Sequence, residues 1–217
     1  MTDLLDELAA RAAALRPVPP ARRAIVGIAG APGASKSSLA EALVARLAGT
    51  SDWAETHVAH VPMDGFHLAD AELERLGLRD RKGAPETFDA GGYSALLHRI
   101  LAGETVWAPG FERTLEQPIA QRLPVTERTR LVVSEGNYVL LPDPAWRSAR
   151  ACCAEVWFCH VAPEVRIPRL IARHVQFGKS PEAAREWVLR SDERNARLVE
   201  ATAGFADLIV DLTDWAP

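Results

Sequence analysis

Lys36 and Ser37 close the run Gly30-Ala31-Pro32-Gly33-Ala34-Ser35-Lys36-Ser37, with Ser38 next. The run fits the phosphate-binding pattern G-x-x-x-x-G-K-[ST] at every fixed position but one, because Ser35 stands where the second Gly belongs. Gly30 and Gly33 let a backbone curl so that its N–H groups converge on an anion. A helix starting here adds unpaired N-terminal donors and a positive dipole end. In that setting Lys36 reaches the outer phosphates of a nucleotide and the Ser37 hydroxyl ligates Mg²⁺. Ser35 brings a Cβ and a hydroxyl to the phosphate path, which either weakens binding or adds a hydrogen bond. The bland alternative is a Gly-rich turn with a chance Lys. An apolar strand before it and a helix after it argue against that reading.

Two acidic residues follow apolar runs. Asp64 ends one, ahead of Gly65-Phe66-His67, and Glu135 ends another, ahead of Gly136. In an open α/β sheet, ligands sit beyond the C-terminal ends of the strands, so both acids are expected beside the phosphate loop. Asp64 is the candidate general base for a hydroxyl acceptor; it could instead hold Mg²⁺ through water, or simply start an Asp-Gly turn. Glu135 is a candidate to hold Mg²⁺ through water or to position substrate, against a plain helix-capping role. His67 either binds a substrate hydroxyl or is structural.

Basic residues supply the rest of the chemistry. Arg166, Arg169 and Arg173 are three and four apart, on one side of a helix that Gly178 breaks. Such a helix–loop–helix closes over phosphates, and Arg173, nearest the break, is the candidate for stabilising transition-state charge. The alternative is a solvated basic face. Arg79, Arg81 and Lys82 form a second basic group, and Arg113 stands alone; each binds substrate or is merely surface charge. The chain has only three lysines, Lys36, Lys82 and Lys179, and all fall in Gly-containing loops. That pattern favours a compact, flexible ammonium at these sites, or reflects coding bias.

The elements that must position these groups alternate. Helix is predicted over 1–14 with Leu4, Leu5, Leu8 and Ala12 on one face, and over 36–47 with Leu39, Leu43 and Leu47 buried. Residues 49–52 close the second of these helices. Shorter helices are expected over 69–76 and 91–102, then over 163–175 with a kink at Pro168, and from an N-cap at Ser180 to 201. Strands are predicted over 24–29, 57–63, 130–133, 155–161 and 206–212. The stretches 79–88 and 105–124 read as irregular, the latter because of Pro109, Gly110 and Pro118. This alternation means an α/β fold with a mostly parallel sheet covered on both faces, in a single domain over 1–217.

Composition narrows the partners. The chain has 217 residues, 48% hydrophobic and 25% charged, with a net charge of −4, which argues against a sequence-blind nucleic-acid binder. Its three cysteines, Cys152, Cys153 and Cys159, form neither a disulfide framework nor a metal-site spacing. With no signal peptide and no long apolar run, a cytoplasmic location away from membranes is expected. The expected partner is a small-molecule substrate, with a homodimer allowed.

Taken together, several segments resemble a known family. They are the phosphate loop, Asp64-Gly65-Phe66-His67, the segment from Arg81-Lys82-Gly83 to Asp89, Pro109-x-Phe111, Glu135-Gly136-Asn137-Tyr138 and Arg169-Leu170-Ile171-Ala172-Arg173-His174. The chain after Arg23 is similar to the uridine kinase, phosphoribulokinase and pantothenate kinase group of P-loop kinases. It looks closest to a bacterial branch labelled fructose transport system kinase or nucleoside/nucleotide kinase-like. The resemblance implies a three-layer α/β/α fold with a helical lid over about 169–190. It also implies transfer of the γ-phosphoryl group of ATP, with Mg²⁺, to a hydroxyl of a sugar such as fructose, a nucleoside or a pantothenate-like alcohol. On this reading residues 30–38 and Arg169 bind the nucleotide, Ser37 and Glu135 serve the metal, and Lys36, Asp64 and Arg173 are catalytic. Asp64, His67, Arg81, Lys82, Arg113, Glu135 and Tyr138 meet the substrate. The alternative is a nucleotide-binding regulatory module weakened in catalysis by Ser35.

Overall fold

The computed structural model describes residues 2–50, 53 and 57–215. Met1, Ser51 and Asp52, which the sequence reading put in or after helices, lie outside the described residues. Five parallel strands make the central sheet: β1 (Ala24–Gly30), β2 (Val58–Pro62), β5 (Leu131–Glu135), β6 (Glu155–His160) and β7 (Leu208–Asp211), in the order β2-β5-β1-β6-β7. Every residue of β1 and β5 is buried, as expected of central parallel strands covered on both faces.

The period of two along β1 divides the core. Ile25 and Ala29 face one side, where they meet α4 (Ala90–Leu101) and α5 (Pro144–Ala151) through Leu97, Ile100, Trp146 and Ala149. Val26 and Ile28 face the other, against Leu8 and Ala12 of α1 (Thr2–Ala14) and Leu39, Leu43 and Leu47 of α2 (Lys36–Ala48). The leucine stripes read from the sequence are therefore the ones that bury.

The segment predicted as irregular over 105–124 is a β-hairpin instead. Strand β3 (Val106–Glu112) pairs antiparallel with β4 (Gln117–Val125), with a register shift between Ala108 and Gly110. Its Pro109 and Pro118 are tolerated because each strand of a two-stranded ribbon is an edge strand. The hairpin lies against the 3₁₀ turn Met63–Phe66 that carries Asp64.

After α3 (Asp70–Leu76) the remaining helices are α6 (Pro163–Gln176), α7 (Pro181–Trp187) and α8 (Glu193–Glu200). Pro168 sits inside α6 without ending it. The single helix expected from Ser180 is interrupted by a π-turn at Val188–Asp192. Ser180 does cap α7, accepting from the Ala183 N–H at 3.2 Å. None of the described helices is long and apolar enough to cross a membrane.

Candidate active site

The phosphate loop joins β1 to α2 at the C-terminal edge of the sheet. Gly33 has φ +81, and a Cβ there would press on Arg166 and Leu170 of α6 at 3.2–3.3 Å. Ser35 adopts φ 59 and ψ 21, the left-handed conformation that a Gly would take freely. Its hydroxyl makes no capping bond, so the first turn of α2 keeps its donors uncapped.

Behind the loop three polar side chains interlock. The Ser37 hydroxyl donates to Glu135 Oε1 at 3.0 Å. Glu135, only 3% exposed, also has His60 Nε2 at 3.8 Å. Burial alone would push the Glu135 carboxyl up; the contact and charge of His60, then Lys36 and Ser37, outweigh it and hold it below the ordinary range. Lys36 is buried and turns its ammonium onto the Ala31 carbonyl at 3.0 Å. Desolvation lowers its pKa, against the opposing pull of Glu135 and Asp64.

These groups open into a cleft of about 400 Å³. Pro32, Gly33, Lys36 and Ser37 line it together with Asp64, His67 and Glu135. Asp64 has Arg113, from the turn after β3, at 3.6 Å. His67 Nδ1 donates to the Asp64 carbonyl at 2.8 Å, and its ring lies 4.0 Å from that of Phe88 and 4.9 Å from that of Phe111. Desolvation lowers the His67 pKa, with Asp64 pulling the other way.

All three lysines of the chain line this cleft. Lys82 holds Asp70 at 2.6 Å, bonds the Glu116 carbonyl and lies over the Phe111 ring, so it fastens the hairpin to the 79–88 loop. Arg79 shares Asp70 at 2.8 Å. Lys179 lies over the ring of Trp187. Arg173 lines the opening; the protein crowded around it and the charge of Arg113 lower its pKa, while its exposed surface keeps that desolvation partial. Beside it His174 meets Asp192 of the π-turn at 2.9 Å.

Some sequence candidates lie elsewhere. Arg169 is exposed on α6 and does not line the cleft. Arg81 pairs with Glu86 outside it. Tyr138 is buried beneath, its hydroxyl donating to the Gly83 carbonyl, and burial raises its pKa far above the usual phenol range. Ala31 and Ala34 are buried in the loop and contribute only backbone. Conversely, Trp187 and Asp192 join the cleft without any sequence signal, because a π-turn has no pattern of its own. Glu116 joins through a hairpin that was read as irregular.

A Gly-rich loop entering a helix, with an acid bonded to the Ser that follows the loop Lys, defines a P-loop nucleotide-binding protein. No protein-family model matches the chain. The chain is 33% identical over 202 residues to the Escherichia coli (strain K12) "Uncharacterized protein YggC", covering 93% of this chain and 83% of the relative. It is 32% identical over 197 residues to the Schizosaccharomyces pombe "Putative uridine kinase C227.14", covering 87% and 83%. A crystal structure from Silicibacter sp. TM1040, titled "putative fructose transport system kinase", superposes with a TM-score of 0.82 at 36% identity, covering 96% of this chain and 97% of that one. The chain belongs to the P-loop kinases of the uridine kinase and pantothenate kinase group, and its sheet with flanking helices is their three-layer α/β/α fold.

Proposed function

We propose that the protein transfers the γ-phosphoryl group of ATP to a hydroxyl of a small metabolite: a sugar such as fructose, a nucleoside or a pantothenate-like alcohol. One observation carries this reading. Asp64, at the end of β2, lines the same cleft as Lys36 and Ser37, so an acceptor and a nucleotide phosphate have one chamber to meet in. The kinase names of the relatives support it.

In this reading the amides of residues 30–38 cradle the phosphates, and Lys36 exchanges the Ala31 carbonyl for phosphate oxygens. A neutral acceptor is thereby replaced by an anionic one, which favours the charged ammonium that burial opposes. Ser37 and Glu135 offer two oxygen donors 3.0 Å apart, which suits Mg²⁺ held jointly with nucleotide phosphates. Among the described residues no group of three or more His, Cys, Asp or Glu could hold a metal, and this mode of binding needs none. Mg²⁺ bound there would neutralise charge on the phosphates.

Asp64 takes the proton of the attacking hydroxyl, and Arg173 balances charge on the transferring group. Arg113, His67 and Glu135 bound the acceptor side. Arg169, on the outer side of α6, reaches nucleotide only from outside the cleft as described. A small, diffusible acceptor goes with a cytoplasmic site of action.

The test is ADP release from MgATP against a panel of sugars, nucleosides and hydroxy acids, with Lys36→Ala as control. Turnover on an alcohol, lost in the variant, is the expected result. No ADP release with any acceptor, together with no thermal stabilisation by MgATP, would sink the proposal.

A further inference from the structure

We infer that Asn195 is a positioning residue that couples the phosphate loop to the 79–88 loop, so that nucleotide bound at the first orders the second. This rests on the nucleotide-binding half of the reading above and adds how that half reaches across the cleft.

Gly83 lies in the 79–88 loop with φ +94 and lines the cleft beside Lys82. Its carbonyl receives two donors, the Tyr138 hydroxyl and Asn195 Nδ2, the latter at 3.2 Å. A carbonyl only accepts, so the Asn195 amide must turn its nitrogen toward it, and both lone pairs are then used. The Gly83 N–H is held too, by Thr87 Oγ1 at 3.0 Å, and that hydroxyl donates on to the Ala84 carbonyl at 2.7 Å. With both its backbone groups fixed, Gly83 sets how the loop presents Lys82. Asn195 is only 4% exposed and does not line the cleft, so it acts on this loop and not on a ligand.

The two donors come from different parts of the fold. Tyr138 follows β5 and packs its ring against Phe88 and Trp146 in the core. Asn195 sits in the first turn of α8, and that turn has two further polar contacts. Glu193 meets Arg166 at 2.7 Å, and Arg166 in turn donates to the Pro32 carbonyl of the phosphate loop at 3.1 Å. Asp192, one residue earlier, meets His174 of α6 at 2.9 Å. Successive side chains on a helix point about 100° apart, so the three leave in different directions. One short stretch of backbone, 192–195, thereby joins the phosphate loop, α6 and the 79–88 loop.

The phosphate end of this chain of contacts is where nucleotide acts. Lys36 bonds the Ala31 carbonyl, which the reading above has it exchange for phosphate oxygens. Ala31 precedes Pro32, so the exchange takes place one residue from the carbonyl that Arg166 grips. Phosphate restrains the loop, Arg166 and Glu193 pass the restraint to α8, and Asn195 passes it to Gly83. Ordering alone suffices for this, without a large displacement. The coupling is reciprocal: whatever orders the 79–88 loop tightens nucleotide by the same factor.

The test is amide hydrogen exchange on the full chain with and without MgAMP-PNP, an ATP analogue that does not transfer its terminal phosphoryl group. In the wild type MgAMP-PNP should slow exchange in 79–88 by about fivefold or more, the low end of coupling between sites, as well as in 30–38. Asn195→Leu keeps the volume and removes the donor. It should bring the slowing in 79–88 to within about twofold of none while 30–38 still responds. Asn195→Ala gives the same comparison should the leucine not fold. Tyr138→Phe removes the other donor to Gly83; it should speed exchange in 79–88 in both states and keep their ratio. A merely structural Asn195 would behave as Tyr138 does. Slowing of 79–88 that persists in Asn195→Leu or Asn195→Ala, or a wild type in which only 30–38 responds, overturns this inference alone. No response in 30–38 and no thermal stabilisation by MgAMP-PNP overturns the nucleotide reading and this inference with it.

Discussion

Arg166 donates to the Pro32 carbonyl at 3.1 Å, so the first turn of α6 is bolted to the phosphate loop. The same guanidinium meets Glu193, at the start of α8, at 2.7 Å, and Arg166 is only 1% exposed. One side chain therefore joins the loop to two helices at the cleft edge.

Removing it strands a largely covered acid. Arg166→Ala should destabilise the fold by about 3 kcal/mol, because Glu193, whose side chain is 18% exposed, loses its partner and the Pro32 carbonyl loses its donor. Urea unfolding measures this. Arg166→Ala with Glu193→Gln should recover part of the loss; a double variant as unstable as the single one would mean that the pair contributes only volume.

Ser35 makes the opposite prediction. Held at φ 59, it adopts a conformation that costs an L-residue about 1 kcal/mol and a Gly nearly nothing. Its hydroxyl makes no cap bond to offset that cost. Ser35→Gly should raise the melting temperature and keep or raise MgATP affinity, as read by calorimetry. A large loss of affinity would reveal the hydroxyl as a working ligand.

Much of this site is legible in the sequence, and the exceptions have physical causes. The loop, Asp64 and Glu135 are legible because strand ends in a parallel sheet converge on one edge whatever the side-chain packing. The hairpin is not, because Pro109, Gly110 and Pro118 read as breakers, and only the two-stranded pairing makes them harmless. Helix α5, which the sequence reading leaves unassigned, does carry a signal: an Asp143 cap that accepts from the Ala145 N–H, followed by Pro144 at the first turn. The three arginines of α6 separate for a geometric reason. Arg166 and Arg173 are seven apart, nearly two full turns, and share one side, whereas Arg169 is about 40–60° off that line and stays outside the cleft. Spacing gives the shared side but not how far along the helix the protein stops covering it.

Gly65 holds Asp64 in place by closeness rather than by flexibility. A Cβ there would lie 2.3 Å from the Pro109 carbonyl oxygen, a backbone atom of the hairpin that cannot simply rotate away. Gly65→Ala should push the hairpin, and Arg113 with it, off Asp64 and lower kcat/KM for the acceptor by tenfold or more on the scale of a misplaced catalytic group, roughly. Gly204→Ala is the control, since nothing lies within 4 Å of that position and its φ is ordinary. Equal activity in the two variants would remove the hairpin from the site.

The depressed pKa of His67 sets a pH dependence with a definite sign. In the unfolded chain the imidazole binds its proton at about pH 6.5. In the folded chain it does so only at lower pH, because burial opposes the charge. Between the two values the unfolded state holds more protons, so stability falls as pH drops below about 6.5. His67→Asn removes this term. Between pH 7.5 and 5.5 the wild type should lose more stability than the variant by chemical denaturation, and parallel pH profiles would contradict a neutral His67.

Asp64→Asn separates catalysis from binding. Asp64 comes from the turn after β2, whereas Lys36 and Ser37 come from the first turn of α2, so the proposed nucleotide grip does not run through Asp64. Asn keeps the size and the carbonyl that anchors His67 but cannot take a proton. Turnover on the true acceptor should fall by about a hundredfold or more, the scale of a general base, with MgATP affinity nearly unchanged. Arg113, 3.6 Å away, loses only a partly exposed ion-pair partner, so the fold should keep its stability to within about 1 kcal/mol. If Asp64 chiefly serves Mg²⁺, MgATP affinity falls together with the rate. If it only shapes the Asp-Gly turn, Asn serves as well there and turnover barely changes. Nucleotide affinity and single-turnover rate on the same variant distinguish the three, and an unchanged rate removes Asp64 from the chemistry.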